Sequence, residues 1–158
     1  MRGSGPSLVS DFDMTIRQLG RKRHRRAVFE LVNRERTSRG LPRTRFALSL
    51  SLSARAWARA LSSDSRFTHG DFAQRVLRWP FVLRSQPGRW EVAENLAWGT
   101  GPTSTPRSIV SRWMASAEHR GNILGTWSYS AVWSQRDSPA PGEQPNSVIC
   151  VQHFGRRT

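Results

Sequence analysis

Cysteine is almost missing from this chain. Cys150 stands alone, which excludes an intrachain disulfide and any cysteine-based zinc cluster. Stability must therefore come from packing rather than from covalent staples. Lysine is equally scarce: Lys22 is the only one, so the net charge of +14 rests on arginine. No apolar run approaches the roughly 20 residues a membrane-spanning helix requires. The N-terminus also lacks the continuous apolar core of a secretory signal. Two compartments stay open on that reading: an intracellular chain, or one whose export signal is absent from this sequence. What is present is 158 residues, enough for one domain that buries roughly 70% of its unfolded surface. Seven tryptophans against one tyrosine point to a compact, aromatic-rich core.

The positive charge favours anionic partners, among them nucleic acid, anionic lipid and acidic polymers. Arginines are scattered along the chain, and only Arg21-Lys22-Arg23-His24-Arg25-Arg26 forms a cluster. Arg21, Lys22, Arg23, Arg25 and Arg26 are thus the candidate polyanion-binding residues. Specific nucleic-acid binding is disfavoured, because a short basic run is a weak motif.

Met1 to Asp13 is rich in Gly, Ser and Pro and reads as a disordered start; residues 1–20 are expected to be a flexible lead-in to one domain over 21–158. Ala27, Val28, Leu31 and Val32 form an apolar stripe at helical spacing, stopped by Gly40 and Pro42. Leu50, Ala54, Trp57, Ala58 and Leu61 predict a second helix, with Ser49 to Ser53 as its cap and Arg55 and Arg59 facing solvent. A short helix is expected near Asp71 to Leu77 within loops that run from Ser62 to Arg89. Val92 to Trp98, closed by Gly99, reads as a buried strand. Thr105-Pro106 starts a helix whose core face is Ile109, Val110, Trp113 and Met114. Ser116 caps another, with Glu118 in its positive first turn. Period-two alternation predicts strands at Trp127 to Trp133 and at Val148 to Phe154, joined by the Pro-rich loop from Arg136 to Asn146. The sum is an α+β domain, most simply a three-layer sandwich.

Several motifs then line up in order: Leu31-Val32-Asn33-Arg34-Glu35-Arg36, Phe67-Thr68-His69 and Glu94-Asn95-Leu96-Ala97-Trp98-Gly99. Trp113-Met114-Ala115-Ser116 follows, with His119-Arg120 and Asn122-Ile123-Leu124, and Val151-Gln152 with Phe154-Gly155 closes the set. In this order they resemble the CAP superfamily (cysteine-rich secretory proteins, antigen 5 and pathogenesis-related 1 proteins), and within it the bacterial SCP-like branch. The resemblance runs from about Ala27 to Gly155 and implies a three-layer α-β-α sandwich of the CAP type. In eukaryotic members two His and two Glu line a central cleft and can hold a divalent cation. His69 and Glu94 match the first of each. The second Glu falls at Ser116 and the second His at about Ile149, so half the set is missing. Zinc wants three or four protein ligands, and Glu118 or His119 could complete the site only from positions off the match.

His69 and Glu94 can pair by a charge-assisted hydrogen bond. They serve either a polar ligand site or a buried tie between the His loop and the sheet. Adding Ser116 gives a nucleophile, a base and an orienter, although Ser116 already has work as a helix cap and no Gly-x-Ser-x-Gly elbow surrounds it. Arg120 is expected to anchor its short helix. Asn95 and Gln152 are expected to satisfy buried backbone groups, and Trp57, Trp98 and Trp113 to lie in the core. His153, out of phase with Cys150 and Gln152, belongs on the other sheet face. Cys150 reads as an inert buried residue.

The resulting expectation is a non-enzymatic domain with a ligand-binding cleft at His69, Glu94 and His119. It needs no cofactor, with zinc or calcium at His69 and Glu94 as the metal option. The alternatives are a hydrolase using His69, Glu94 and Ser116, or a basic protein that binds an anionic polymer or membrane surface. A monomer is expected. By resemblance its place is extracellular or in the cell envelope.

Overall fold

The computed structural model describes residues 11–64, 67–78, 88–136 and 147–158. Helix α1 spans Ile16–Thr37, strand β1 Arg45–Phe46, α2 Leu48–Asp64, α3 Phe72–Leu77 and β2 Trp90–Gly99. After a 3-10 turn at Gly101–Ser104 come α4 (Pro106–Ala115), α5 (Ala117–Leu124), β3 (Tyr129–Arg136) and β4 (Val148–Arg157). The strands form one sheet in the order β1-β3-β4-β2, with β1 parallel to β3 and the other pairs antiparallel.

Side-chain alternation along the strands divides the core in two. Val148, Cys150 and Phe154 of β4, with Ala93 and Ala97 of β2, meet Val28, Leu31 and Val32 of α1, Ile109 and Trp113 of α4, and Ile123 of α5. Ile149 and Val151, with Leu96, meet Ala54, Ala58 and Leu61 of α2 on the opposite face. Leu50 of α2 joins Ala131 and Val76 of α3 on that same side. The architecture is an α-β-α sandwich.

The start of the chain departs from the expected lead-in. Asp11, Phe12, Ile16 and Leu19 are buried, and Arg107 donates its backbone N–H to Phe12 O. Thr15 and Gln18 form a capping box that opens α1, so residues 11–20 belong to the folded body. An apolar pair at Phe12 and Ile16 outweighs the polar composition around it. Gly20 (φ 75°, ψ 159°) kinks α1, a conformation glycine adopts without steric cost. Residues 1–10 lie outside the described residues, as do 65–66, 79–87 and 137–146. The last of these removes most of the expected Pro-rich loop.

Two smaller expectations also change. The serines taken as a cap lie inside α2, where Ser49, Ser51 and Ser53 are buried. Arg120 is exposed, and among the described residues nothing pairs with it. The anchor is Arg36, 1% exposed, whose Nη1 donates to Ile123 O and Gly125 O at 2.7 Å and whose Nε donates to Pro42 O at 3.0 Å. It therefore closes the last turn of α5 from beneath.

β2 is an edge strand, and side chains cover its outward carbonyls in turn. Asn122 Nδ2 donates to Glu94 O at 3.1 Å, Trp113 Nε1 to Leu96 O at 2.9 Å and Arg112 Nη1 to Trp98 O at 2.8 Å. The edge cannot recruit another strand there.

His24 sits inside the basic run yet is fully buried, with Nδ1 2.8 Å from Ser134 Oγ and Nε2 2.7 Å from Ser104 O. Only a protonated Nε2 can bond that carbonyl, so neutral His24 donates there and accepts the Ser134 hydroxyl proton at Nδ1. Burial pushes its pKa down to about 4, against a weaker upward pull from the Ser104 carbonyl. Above the unfolded value near 6.5 both states are neutral and the fold keeps its full stability. Between that value and about 4 only the unfolded chain takes up the proton, so stability falls as pH falls, by about 3 kcal/mol in total. Urea midpoints measured from pH 7 to pH 4 should show this slope, and His24→Asn should flatten it. An unchanged slope in His24→Asn would assign the loss to other groups, of which His153 is the nearest in kind.

Candidate functional site

The site is assembled at β2 from both helical layers. Glu94 points from β2 toward the α2/α3 side, directly across the ladder from His153 of β4. Its side chain is wholly buried, which would penalise a lone carboxylate severely. Three cationic or imidazole groups answer it. His69 Nδ1 lies 2.9 Å from Oε1, His153 Nε2 lies 2.7 Å from Oε2, and Arg75 Nη2 reaches both oxygens at 3.1 and 2.9 Å. Burial pushes the Glu94 carboxyl up, but the hydrogen bonds and charges of His153 and Arg75 outweigh it and leave the group below its usual value. Glu94 is therefore ionised, and both histidines donate to it. Burial drives His153 the other way, holding it below the ordinary imidazole range despite Glu94, so it is neutral at pH 7.

Local sequence explains each placement. Asp71 caps α3 by accepting from Gln74 N, which sets the helix so that Arg75 faces inward. Arg75 lies over the Trp57 ring with its guanidinium carbon 3.6 Å from the centroid, and it donates to His69 O at 2.7 Å. The loop before α3 is thus held from both sides, since Trp57 Nε1 also donates to Thr68 O at 3.1 Å. Gly70 suits the bend because its φ is +52°, a conformation that glycine adopts without steric cost.

On this support His69 stays 41% exposed, with the Phe72 ring edge-on at 6.5 Å between centroids. Its Nδ1–H is committed to Glu94, which fixes the tautomer and, among the described residues, leaves Nε2 as a free acceptor in the neutral ring. His119 of α5 comes within electrostatic reach of His69. Burial chiefly lowers its pKa, His69 lowers it further and Glu118 raises it. Asn95 Nδ2 donates to His119 O at 3.3 Å and to Gln152 Oε1 at 3.4 Å, while Asn122 Nδ2 donates to Asn95 Oδ1 at 3.0 Å. Of the expected groups, His69, Glu94 and His119 come together here. Further along β2, Phe67, Leu96, Ala97, Trp98 and Arg112 line a pocket of about 410 Å³.

Ser116 is not joined to them. Its Oγ accepts the His119 backbone N–H as an N-cap, and among the described residues no hydrogen bond links it to His69. The Ser-His-Glu arrangement thus lacks its nucleophile contact. The second histidine at Glu94 is His153, not a group at Ile149, whose side chain packs into the α2 core. Sequence reading placed His153 on the correct face but gave it no role; strand register alone makes it the cross-strand neighbour of Glu94. Arg75 was missed altogether, since nothing in a loop-rich stretch marks one arginine among 25 basic residues.

The donor set fits a hydrogen-bonded carboxylate and does not fit a divalent cation. Both Glu94 oxygens already accept hydrogen bonds, and the Arg75 guanidinium already supplies the positive charge beside them. Among the described residues no three His, Cys, Asp or Glu side chains are grouped as metal ligands.

The basic cluster is split by the helix that carries it. Arg23 turns away to pair with Asp11, Nη2 to Oδ1 at 2.6 Å, and His24 points into the core. Lys22, Arg25 and Arg26 remain together along one side of α1.

Comparison with known proteins agrees with this architecture. An outer surface protein from Borrelia burgdorferi superposes with a TM-score of 0.67 at 20% identity, over 84% of this chain and 92% of that one. An extracellular protein containing a SCP domain from Bacillus anthracis superposes with a TM-score of 0.66 at 18% identity, over 98% of this chain and 45% of that one. In sequence, the uncharacterized protein YkwD of Bacillus subtilis is 31% identical over 144 residues, 84% of this chain. The chain spans about half the length of that relative (49%). The model of the CAP, cysteine-rich secretory protein, family matches residues 29–152, which run from α1 through β4. The chain belongs to the CAP family.

Proposed function

We propose that this CAP domain is a non-enzymatic binding module whose cleft receives a ligand or partner at His69. One observation carries the reading: a fully buried, fully hydrogen-bonded Glu94 supports a half-exposed imidazole whose second nitrogen is free among the described residues. A rigid acceptor beside His119, with an apolar pocket further along the same strand, suits recognition of a small group that donates a hydrogen bond next to an apolar portion. The non-enzymatic reading is supported by Ser116, whose Oγ accepts a backbone N–H as a cap and, among the described residues, makes no hydrogen bond to His69. Work outside the cytoplasm is in keeping with relatives described as outer-surface and extracellular proteins. Among the described residues no helix is long and apolar enough to cross a membrane.

The test uses the imidazole resonances of His69 and His119 in a screen of small amides, alcohols and carboxylic acids. Binding fragments should perturb both rings, and His69→Ala should abolish the response while lowering stability by no more than about 1 kcal/mol, as expected for a partly exposed pair. Generic ester and peptide substrates should show no turnover. Hydrolysis lost in both His69→Ala and Ser116→Ala would overturn the reading in favour of an enzyme. Zinc and calcium should leave the thermal midpoint unchanged. A rise that depends on Glu94 would show that Arg75 yields to a metal.

A further inference from the structure

A second surface lies on the far side of the sheet from β2, where β1 ends at Phe46 and leaves the rest of β3 as an edge. Lys22, Arg25, Arg26 and Phe29 recur on α1 at intervals of three and four residues, so they share one helix face. With Phe46 and Val132 they line a groove of about 270 Å³, in which Glu30 is the only acid among the described residues. Glu30 is engaged by Arg43, whose Nη2 lies 2.8 Å from Oε2. Phe46, which lines the groove, is 58% exposed, and Leu48, two residues on at the start of α2, is 57% exposed.

Among the described residues the charge beside them is uncompensated. Two guanidinium groups lie near the Trp133 ring, with the Arg25 carbon 4.5 Å and the Arg55 carbon 5.3 Å from its centroid. Among the described residues no acid pairs with Arg21, Lys22, Arg25, Arg26 or Arg55. Burial holds Arg25 below the ordinary guanidinium range, and Arg21 and Arg55 add repulsion. Like charges crowded around an aromatic platform, next to exposed apolar groups, are what an anionic and apolar counterpart would satisfy.

We propose that this face docks on the surface of an anionic phospholipid bilayer. Lys22, Arg25 and Arg26 would contact lipid phosphates while Phe46 and Leu48 enter the boundary between headgroups and chains. A soluble polyanion would satisfy the cations but leave both apolar side chains in water, and a neutral bilayer would satisfy only the apolar pair. The net charge of +14 would speed the encounter and make it salt-sensitive. The surface is remote from His69 in the fold, so the proposal does not depend on the cleft being a binding site.

Co-sedimentation with phosphatidylcholine vesicles, with and without phosphatidylglycerol, tests it. Binding should appear only with phosphatidylglycerol and weaken as salt is raised. Lys22→Gln with Arg26→Gln should weaken it about 25-fold, taking roughly fivefold per cation near an anionic surface. Phe46→Ser with Leu48→Ser should weaken it at least about tenfold through lost apolar burial. All four positions border open solvent or the groove, and an unchanged thermal midpoint will show that the variants fold. Failure to bind phosphatidylglycerol vesicles would overturn the proposal. So would full binding by the Phe46→Ser, Leu48→Ser variant, above all if soluble polyphosphate displaced it completely, because that pattern describes a polyanion site.

Discussion

Glu94→Ala is expected to cost about 3–5 kcal/mol of folding stability, the range for removing one partner of a buried ion pair. The reason lies in what is left behind. Among the described residues Arg75 Nε and Nη1 are already buried without hydrogen-bond partners, so its charge depends on Glu94 and on the carbonyl of His69. Without the carboxylate, the guanidinium over Trp57 keeps its burial and loses its counter-charge. His153 Nε2–H loses its acceptor in a wholly buried position. A loss of that size is a large share of the roughly 5–15 kcal/mol that holds a typical domain together. Glu94→Gln is therefore the more informative variant. It keeps the volume and one acceptor oxygen but turns an amide toward a donor, and about 2–3 kcal/mol should be lost. Urea unfolding of both variants checks the order. If Glu94→Gln matches wild type, the carboxylate charge is not what holds the cluster. His69 should respond in step: in Glu94→Gln its Nδ1–H loses its charged acceptor, and the tautomer that frees Nε2 is no longer enforced.

Arg36→Ala should be as damaging, lowering stability by about 4 kcal/mol through lost charge-assisted hydrogen bonds and buried carbonyls left unpaired. Arg36 links α1 to the end of α5 through Ile123 O and Gly125 O, and to the segment before β1 through Pro42 O. Arg36→Lys keeps the charge but cannot span these acceptors with a planar fork, so only part of the loss should be recovered. The effect should extend to the cleft, since α5 also carries His119 and Asn122. Hydrogen exchange should show α5 amides losing protection before those of β4. Uniform loss across the domain would mean that Arg36 supports the whole fold rather than this helix.

The helices and strands were legible because each has one apolar face. Ala27, Val28, Leu31 and Val32 repeat with the period of a helix buried on one side, and Val148, Cys150 and Phe154 with that of a strand covered on both. Caps were legible for the same local reason: Thr105 and Ser116 each accept from a backbone N–H three residues on. The order of motifs was enough to indicate the family. The failures share a cause. Polar composition before residue 14 suggested a loose segment, yet Phe12 and Ile16 find partners on α1 and α4 that no local window contains.

Sequence by itself thus determined the periodicities, the caps at Thr105 and Ser116, the family, and the choice of His69 and Glu94 as candidates. Only the tertiary structure decided the company those two keep. His153 is 59 positions from Glu94 and becomes its neighbour through β2–β4 register. Arg75 becomes its counter-ion through the angle at which α3 docks. The same holds for the basic run, which looked like a single patch as a string. At 100° per residue, helix geometry sends Arg23 to Asp11 and His24 into the core, leaving Lys22, Arg25 and Arg26 in a groove. Periodicity is a property of neighbours along the chain; ion pairs and desolvation are properties of neighbours in space, and these arise only when the layers close.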